Sequence, residues 1–257
     1  MSSYETKFEE RENGNIAYIY FNTSSFNTLT GDQLYELKDL MWDTAEKADL
    51  IILTSENPKF FCNGLDPMSL INASIEERMK TIDMMIQIIY DLYDLPVPFI
   101  AEQTGHTMAG GLVITASAEY RYMLRGKFLT GLSEIPVGLV LPSIYLEVIK
   151  EYVEPRYIRD VFEGKMFTPE EAYQIGLVDK LADSREELRK IVLKKADQLL
   201  AFSKQAYQYS RIKRRRLRKE ELKKFLDADK EILTNELMEN ELPKIMMGII
   251  SKAMGKK

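Results

Sequence analysis

The sequence predicts an α/β fold closed by a helical C-terminal region, compatible with a spiral of strand–strand–helix turns. Three observations carry this expectation. Strand-like runs recur at LIILT (50–54), in the apolar segment opening at Phe99, and in EYRYML, where tyrosines and Leu124 alternate with Arg121, Met123 and Arg125. Glycine loops stand around Gly64 and around Gly110-Gly111, the second leading into a short apolar helix. From residue 184 onward the chain reads as helices alone. The order strand, glycine loop, helix fits a ββα spiral, although no internal sequence repeat accompanies it.

Taken in order, residues 4–22 alternate on both sides of Asn13-Gly14 and predict a β-hairpin. Leu34, Leu37, Leu40 and Met41 follow at helical spacing, with Thr30 or Asp32 as N-cap. After the strand at 50–54, SENPK turns the chain into FFCNGLDPMSL. Residues 74–95 form a long helical pattern on Ile82, Met85, Ile86 and Ile89, stopped by Pro96 and Pro98. One or two helices span Leu146 to Phe162. In FTPEEAYQIG the physics is local: Thr168 is N-cap, Pro169 takes N1, Glu171 N3, and Gly176 ends the helix. Residues 1–200 are expected to form the spiral core and residues 201–257 a helical oligomerisation region, with a possible break at Pro243.

At 257 residues the chain can bury a large core. Its start is charged and lacks the apolar stretch of a signal peptide. No run approaches ~18 uninterrupted apolar residues, so a membrane span is not expected. A single cysteine rules out an intrachain disulfide and fits a reducing compartment, here taken as cytoplasmic. The net charge of −5 argues weakly against nucleic acid as a partner of the whole molecule.

Residues 99–138 carry the chemistry. Two glycines at the mouth of a helix leave its first backbone N–H groups open at the positive end of the helix dipole, a position suited to an oxyanion or a polarised carbonyl. Further on, Glu134 is an acid between Leu132 and Ile135. Desolvation there raises a carboxyl pKa toward neutrality, which suits proton transfer beside a carbonyl. The plainer alternatives are two ordinary tight turns and a surface glutamate.

Pro98, Gly105, Gly110-Gly111, Gly131, Glu134 and Gly138 together resemble the crotonase (enoyl-CoA hydratase/isomerase) superfamily. The resemblance extends to Phe61-Cys62-Asn63-Gly64-Leu65-Asp66 and to the Thr168–Gly176 segment, and covers roughly residues 15–200. It implies a crotonase-like ββα spiral acting on an acyl-CoA thioester, with coenzyme A part of the substrate and no separate cofactor or metal. It also implies homotrimers or pairs of trimers. By resemblance, the backbone N–H groups of Leu65 and Gly110 are oxyanion donors, and Asn63, Gly64, Leu65, Asp66, Gly110 and Gly111 hold substrate. Removing one such donor costs about 3–4 kcal/mol of transition-state stabilisation in comparable sites.

Hydratases of the family carry a first glutamate where this chain has Val113. Water addition uses two carboxylates, whereas moving a double bond from the 3,4 to the 2,3 position needs one base. The expected activity is therefore enoyl-CoA isomerisation with Glu134 as base, and hydration is the alternative. Glu102 and Gln103 depart from the family, which has small apolar residues in that strand. Glu102 is either a second carboxylate for the site or one paired with a basic neighbour or water. Cys62 and His106 each precede a glycine loop and leave a hydrolase open; the blander reading is a loop thiol and a turn imidazole. Asp66 is preferred as a helix cap over a place near the thioester. The basic run RIKRRRLRKEELKK (211–224) reads chiefly as a solvated helix face. Contact with CoA phosphates is its second reading, and a non-catalytic CoA- or RNA-binding protein ranks lowest.

Overall fold

The computed structural model describes residues 3–255. The hairpin forms as expected: β1 (Tyr4–Arg11) and β2 (Gly14–Phe21) run antiparallel with Arg11 opposite Gly14. For α1 (Gly31–Ala45) the choice of cap falls on Thr30. Its hydroxyl accepts from the Gln33 N–H, and the Gln33 side chain accepts from the Thr30 N–H. Asp32 remains in the first turn, where the helix dipole favours an acid.

Three ββα units then follow. The first is β3 (Leu50–Ser55), β4 (Phe60–Cys62) and the helices α2 (Pro67–Asn72) and α3 (Ile75–Tyr93). The second is β5 (Phe99–Gln103), β6 (His106–Met108) and α4 (Gly110–Ala116). The third is β7 (Tyr120–Leu124), β8 (Thr130–Gly131), the single turn α5 (Glu134–Val137) and α6 (Ser143–Ile149). The first strand of each unit joins a six-stranded sheet of order β1-β2-β3-β5-β7-β9, parallel from β2 onward. The second strand of each joins a smaller parallel sheet, β4-β6-β8. This is the ββα spiral that the resemblance implied.

After α6 come a 3₁₀ turn (Pro155–Tyr157), α7 (Ile158–Phe162), α8 (Pro169–Gln174), β9 (Lys180–Ala182) and α9 (Arg185–Leu200). Thr168 and Glu171 form the expected capping box on α8, and Gly176 just past it has φ +85°.

The large sheet has two buried faces, separated by the strand period of two. Ile51, Leu53, Phe99 and Ala101 face the main core, shared with α1, α3, α4 and α6. Ile52, Ile100 and Tyr122 face the opposite way, onto Leu188, Val192 and Ala196 of α9.

One expectation about the C-terminal region is corrected and another refined. The break does not fall at Pro243: α10 (Lys204–Lys230) ends well before it, and α11 (Leu242–Gly255) continues from a π-helical turn at Leu237–Glu241. A proline in the interior would remove one i→i−4 bond, and the wider turn before it absorbs that loss. The basic run is mostly a solvated face, as expected, with two of its arginines turned inward. Arg211 and Arg215 are buried, and they donate to the carbonyls of Leu95 (2.5 Å) and Tyr93 (2.7 Å) at the end of α3. Both guanidiniums also meet the carboxylate of Glu119. Arginines at i and i+4 thus satisfy orphan carbonyls at the negative end of a neighbouring helix. Spacing along one helix does not reveal such a partner.

Among the described residues no helix is long and apolar enough to cross a membrane.

Candidate active site

Three loops at one end of the small sheet build the site. Leu65 follows β4, Gly110 follows β6 and Glu134 follows β8, each two or three residues past its strand. Because β4, β6 and β8 are parallel neighbours, their carboxyl ends lie side by side, the place where open parallel sheets present ligand sites.

The first loop is held by a parallel bridge between Leu29 and Leu65. Leu29 donates to the Gly64 carbonyl (2.9 Å) and its own carbonyl accepts from the Asp66 N–H (2.9 Å). In that pattern the bonds go to the residues flanking Leu65, so its own N–H points away from Leu29 and stays free of the ladder. Gly64 takes φ +78°, and a Cβ there would stand 3.0 Å from the Gly110 nitrogen. The second loop opens α4, whose first N–H groups have no helical acceptor. Its N-cap, Ala109, sits at φ 48° and ψ −121°, a strained position for a non-glycine residue. That strained turn is held by the Ala109 N–H donating to the Gly131 carbonyl (2.9 Å). At Gly111 a Cβ would meet the Cys62 carbonyl at 2.3 Å, so this glycine permits the two loops to approach each other.

A cavity of about 340 Å³ joins these loops, with Asn63, Leu65, Gly110 and Glu134 on its wall. Glu134 as a whole is half-buried, but its Oε2 is buried without a hydrogen-bond partner. Burial pushes its carboxyl up to about 7, against the opposing pull of its own and the Ser133 backbone N–H groups. Apart from Thr28 and Ser133 the rest of the wall is apolar, with Ile82 and Met85 from α3 and Met246 and Ile249 from α11. Periodicity marks Ile82 and Met85 as helix-face residues, and it does not resolve which residues of the tail complete this wall.

Other candidate residues have different occupations. The Asp66 carboxylate caps α2, accepting from the Met68 N–H at 2.8 Å. Gly64 and Gly111 bring the loops together rather than lining the cavity. Val113 is fully buried in the main core. Glu102 shares the sheet face of Ile100 and forms a bidentate pair with Arg189 of α9, at 2.8 and 2.6 Å. It is therefore no second carboxylate of the site. The Cys–His reading also fails. Burial pushes the Cys62 thiol up to about 12, away from a reactive thiolate. His106 Nδ1 accepts from the Leu129 N–H (3.0 Å), and its ring packs on Phe60 and Phe128.

Comparison with known proteins agrees with this architecture. A family model described as enoyl-CoA hydratase/isomerase matches residues 11–252. The chain is 30% identical over 144 residues to a peroxisomal enoyl-CoA delta isomerase 2 of Arabidopsis thaliana, a match spanning 53% of this chain and 60% of that relative's length. It is 26% identical over 204 residues to the peroxisomal enoyl-CoA delta isomerase 1 of the same plant, covering 74% of this chain and 84% of the relative. Among solved structures, human mitochondrial delta3-delta2-enoyl-CoA isomerase superposes with a TM-score of 0.86 at 21% identity, over 98% of this chain and 99% of that one.

Proposed function

Because this chain belongs to the enoyl-CoA hydratase/isomerase family, we propose that it is an acyl-CoA isomerase that moves a double bond from the 3,4 to the 2,3 position with Glu134 as its one base. The observation that carries the reading is the one carboxylate of the cavity wall among the described residues: Glu134, raised toward neutrality by burial, beside Leu65 and Gly110.

In this reading the thioester carbonyl lies between the N–H groups of Leu65 and Gly110. Those two donors polarise it and hold the negative charge that develops when a proton leaves C2. Glu134 takes that proton, the electrons pass through the carbonyl and the former double bond as a dienolate, and the same carboxyl returns a proton at C4. A carboxyl with a pKa near 7 is matched to both halves of the exchange, since it neither holds nor releases the proton too strongly at neutral pH. The apolar wall of Ile82, Met85, Met246 and Ile249 accommodates the acyl chain and keeps water from the dienolate. Hydration would need a second carboxylate. Val113 stands where hydratases of the family carry one, and Glu102 is engaged with Arg189 on the far side of the large sheet.

Purified protein is to be incubated with 3-hexenoyl-CoA and, separately, with 2-hexenoyl-CoA, following conjugation by absorbance and products by mass. The proposal expects conversion of the 3-enoyl ester without mass change, lost in Glu134→Gln. Gain of one water by the 2-enoyl ester would replace it with a hydratase.

A further inference from the structure

A second cavity, of about 470 Å³, lies between β7, α10 and the segment after α6. It is at the other end of the strands from the candidate active site. Tyr120 on its wall opens β7, and Glu119 accepts from the Phe99 N–H (2.8 Å) where β5 begins. Leu65, Gly110 and Glu134 instead follow strand carboxyl ends.

Residues of its lining carry unused donors just behind the wall. Arg121 Nε, Arg211 Nη2, Arg215 Nε and the Tyr152 hydroxyl are all buried without a hydrogen-bond partner among the described residues. The three arginines are 3%, 7% and 4% exposed, so bulk water does not reach them freely. Their remaining nitrogens are committed. Arg121 is tied to Asp179 (3.1 Å) and the Ala118 carbonyl (2.8 Å), and its guanidinium stacks 3.7 Å from the Tyr152 ring centre. Arg211 and Arg215 share the one carboxylate of Glu119. The remaining acid of the wall, Glu151, is held by Arg218 (3.2 Å) and the Tyr93 hydroxyl (2.8 Å). Arg214, exposed at the rim, has no acid partner among the described residues. Buried donors left open are costly, and in native structures they mark a place for water or an ion.

From this cluster of unpartnered donors around one cavity we infer that the cavity binds a phosphoryl oxyanion, either free phosphate or the phosphate of a small ester. The open donors are guanidinium N–H groups, which favour an anion over neutral water. They come from a strand, from a helix and from the loop carrying Tyr152. A tetrahedral group with several oxygens meets such an arrangement better than a planar carboxylate. The volume exceeds that of a bare ion and leaves room beside Tyr207 for the organic part of an ester.

The test titrates the full-length protein with inorganic phosphate and with glycerol phosphate, at ionic strength held constant with chloride. Calorimetry gives the affinity and thermal unfolding the linked rise in Tm. Tyr152→Phe removes only the open hydroxyl, and Arg214→Gln changes only an exposed rim residue. Saturable binding by the wild type is expected, weakened about tenfold in Tyr152→Phe by loss of one charge-assisted hydrogen bond. Arg214→Gln is expected to weaken it severalfold with ligand-free Tm unchanged. Binding of both ligands identifies an ester site, and binding of free phosphate alone a site for the ion; either supports the assignment. No saturable binding, or equal affinity in the wild type and both variants, overturns it and leaves a water-filled cavity. Enoyl-CoA turnover is not the readout, so failure here is distinct from failure of the isomerase reading.

Discussion

Gly64 and Gly110 bring the two glycine loops into backbone contact: a Cβ on Gly64 would stand 3.0 Å from the Gly110 nitrogen, and one on Gly110 would stand 3.2 Å from the Gly64 Cα. Gly64 also holds φ +78°, where a side chain is strained whatever the space. Gly64→Ala is therefore expected to push the loops apart and lower kcat by about 10²-fold or more, the scale of one lost oxyanion donor. Steady-state kinetics alongside a melting curve checks this; normal kcat in a folded variant would show that the contact is dispensable.

Glu134 sets a pH dependence with a definite sign. Its carboxyl is raised to about 7 in the folded protein, and the base works as carboxylate, so kcat/KM is expected to rise with pH and level off above about 7. The linkage to stability runs the other way. The unfolded chain loses this proton near 4.5 while the folded protein keeps it to about 7, so stability is fully present below 4.5 and is lost as pH rises through 7. Glu134→Gln should abolish turnover yet stabilise the protein by about 1–3 kcal/mol at pH 8. Denaturant melts at pH 5 and pH 8 test the difference, and a pH-independent effect would contradict it.

The Glu102–Arg189 pair predicts a stability effect without chemistry. Arg189→Met leaves a buried carboxylate unpaired and should cost about 3–5 kcal/mol. Adding Glu102→Leu should recover most of that. The folded double variant is expected to turn over enoyl-CoA at nearly the wild-type rate. A selective loss of activity with normal stability would return Glu102 to the catalytic site.

Met246 and Ile249 place α11 on the cavity wall. Met246→Trp should fill part of the space, raising KM for long enoyl-CoA esters about tenfold relative to a six-carbon ester. This fits the roughly 1–3 kcal/mol by which one methylene discriminates in an apolar pocket. Comparison of KM across chain lengths decides it, and a uniform change would place the acyl chain elsewhere.

Much of this molecule was legible locally. The Asn13-Gly14 hairpin, the Thr30 and Thr168 caps and the start and stop of α3 are each written within a few neighbouring residues. Turn geometry, capping and period of burial are short-range effects, so local sequence suffices. Glu134 and both glycine loops were singled out by their residue types together with the family resemblance that their spacing carries.

Adjacency came only with the tertiary structure. Parallel pairing of β4, β6 and β8 joins segments tens of residues apart, and nothing in FFC, HTM or TG alone states that they are neighbours. Glu102 shows the same limit, since either reading of it was compatible with the strand, and the deciding partner lies on α9. Arg211 and Arg215 looked like solvated charge until the end of α3 supplied their carbonyls. A side chain's propensity travels with its own sequence, whereas its desolvation and its partner are set by whatever the fold packs against it.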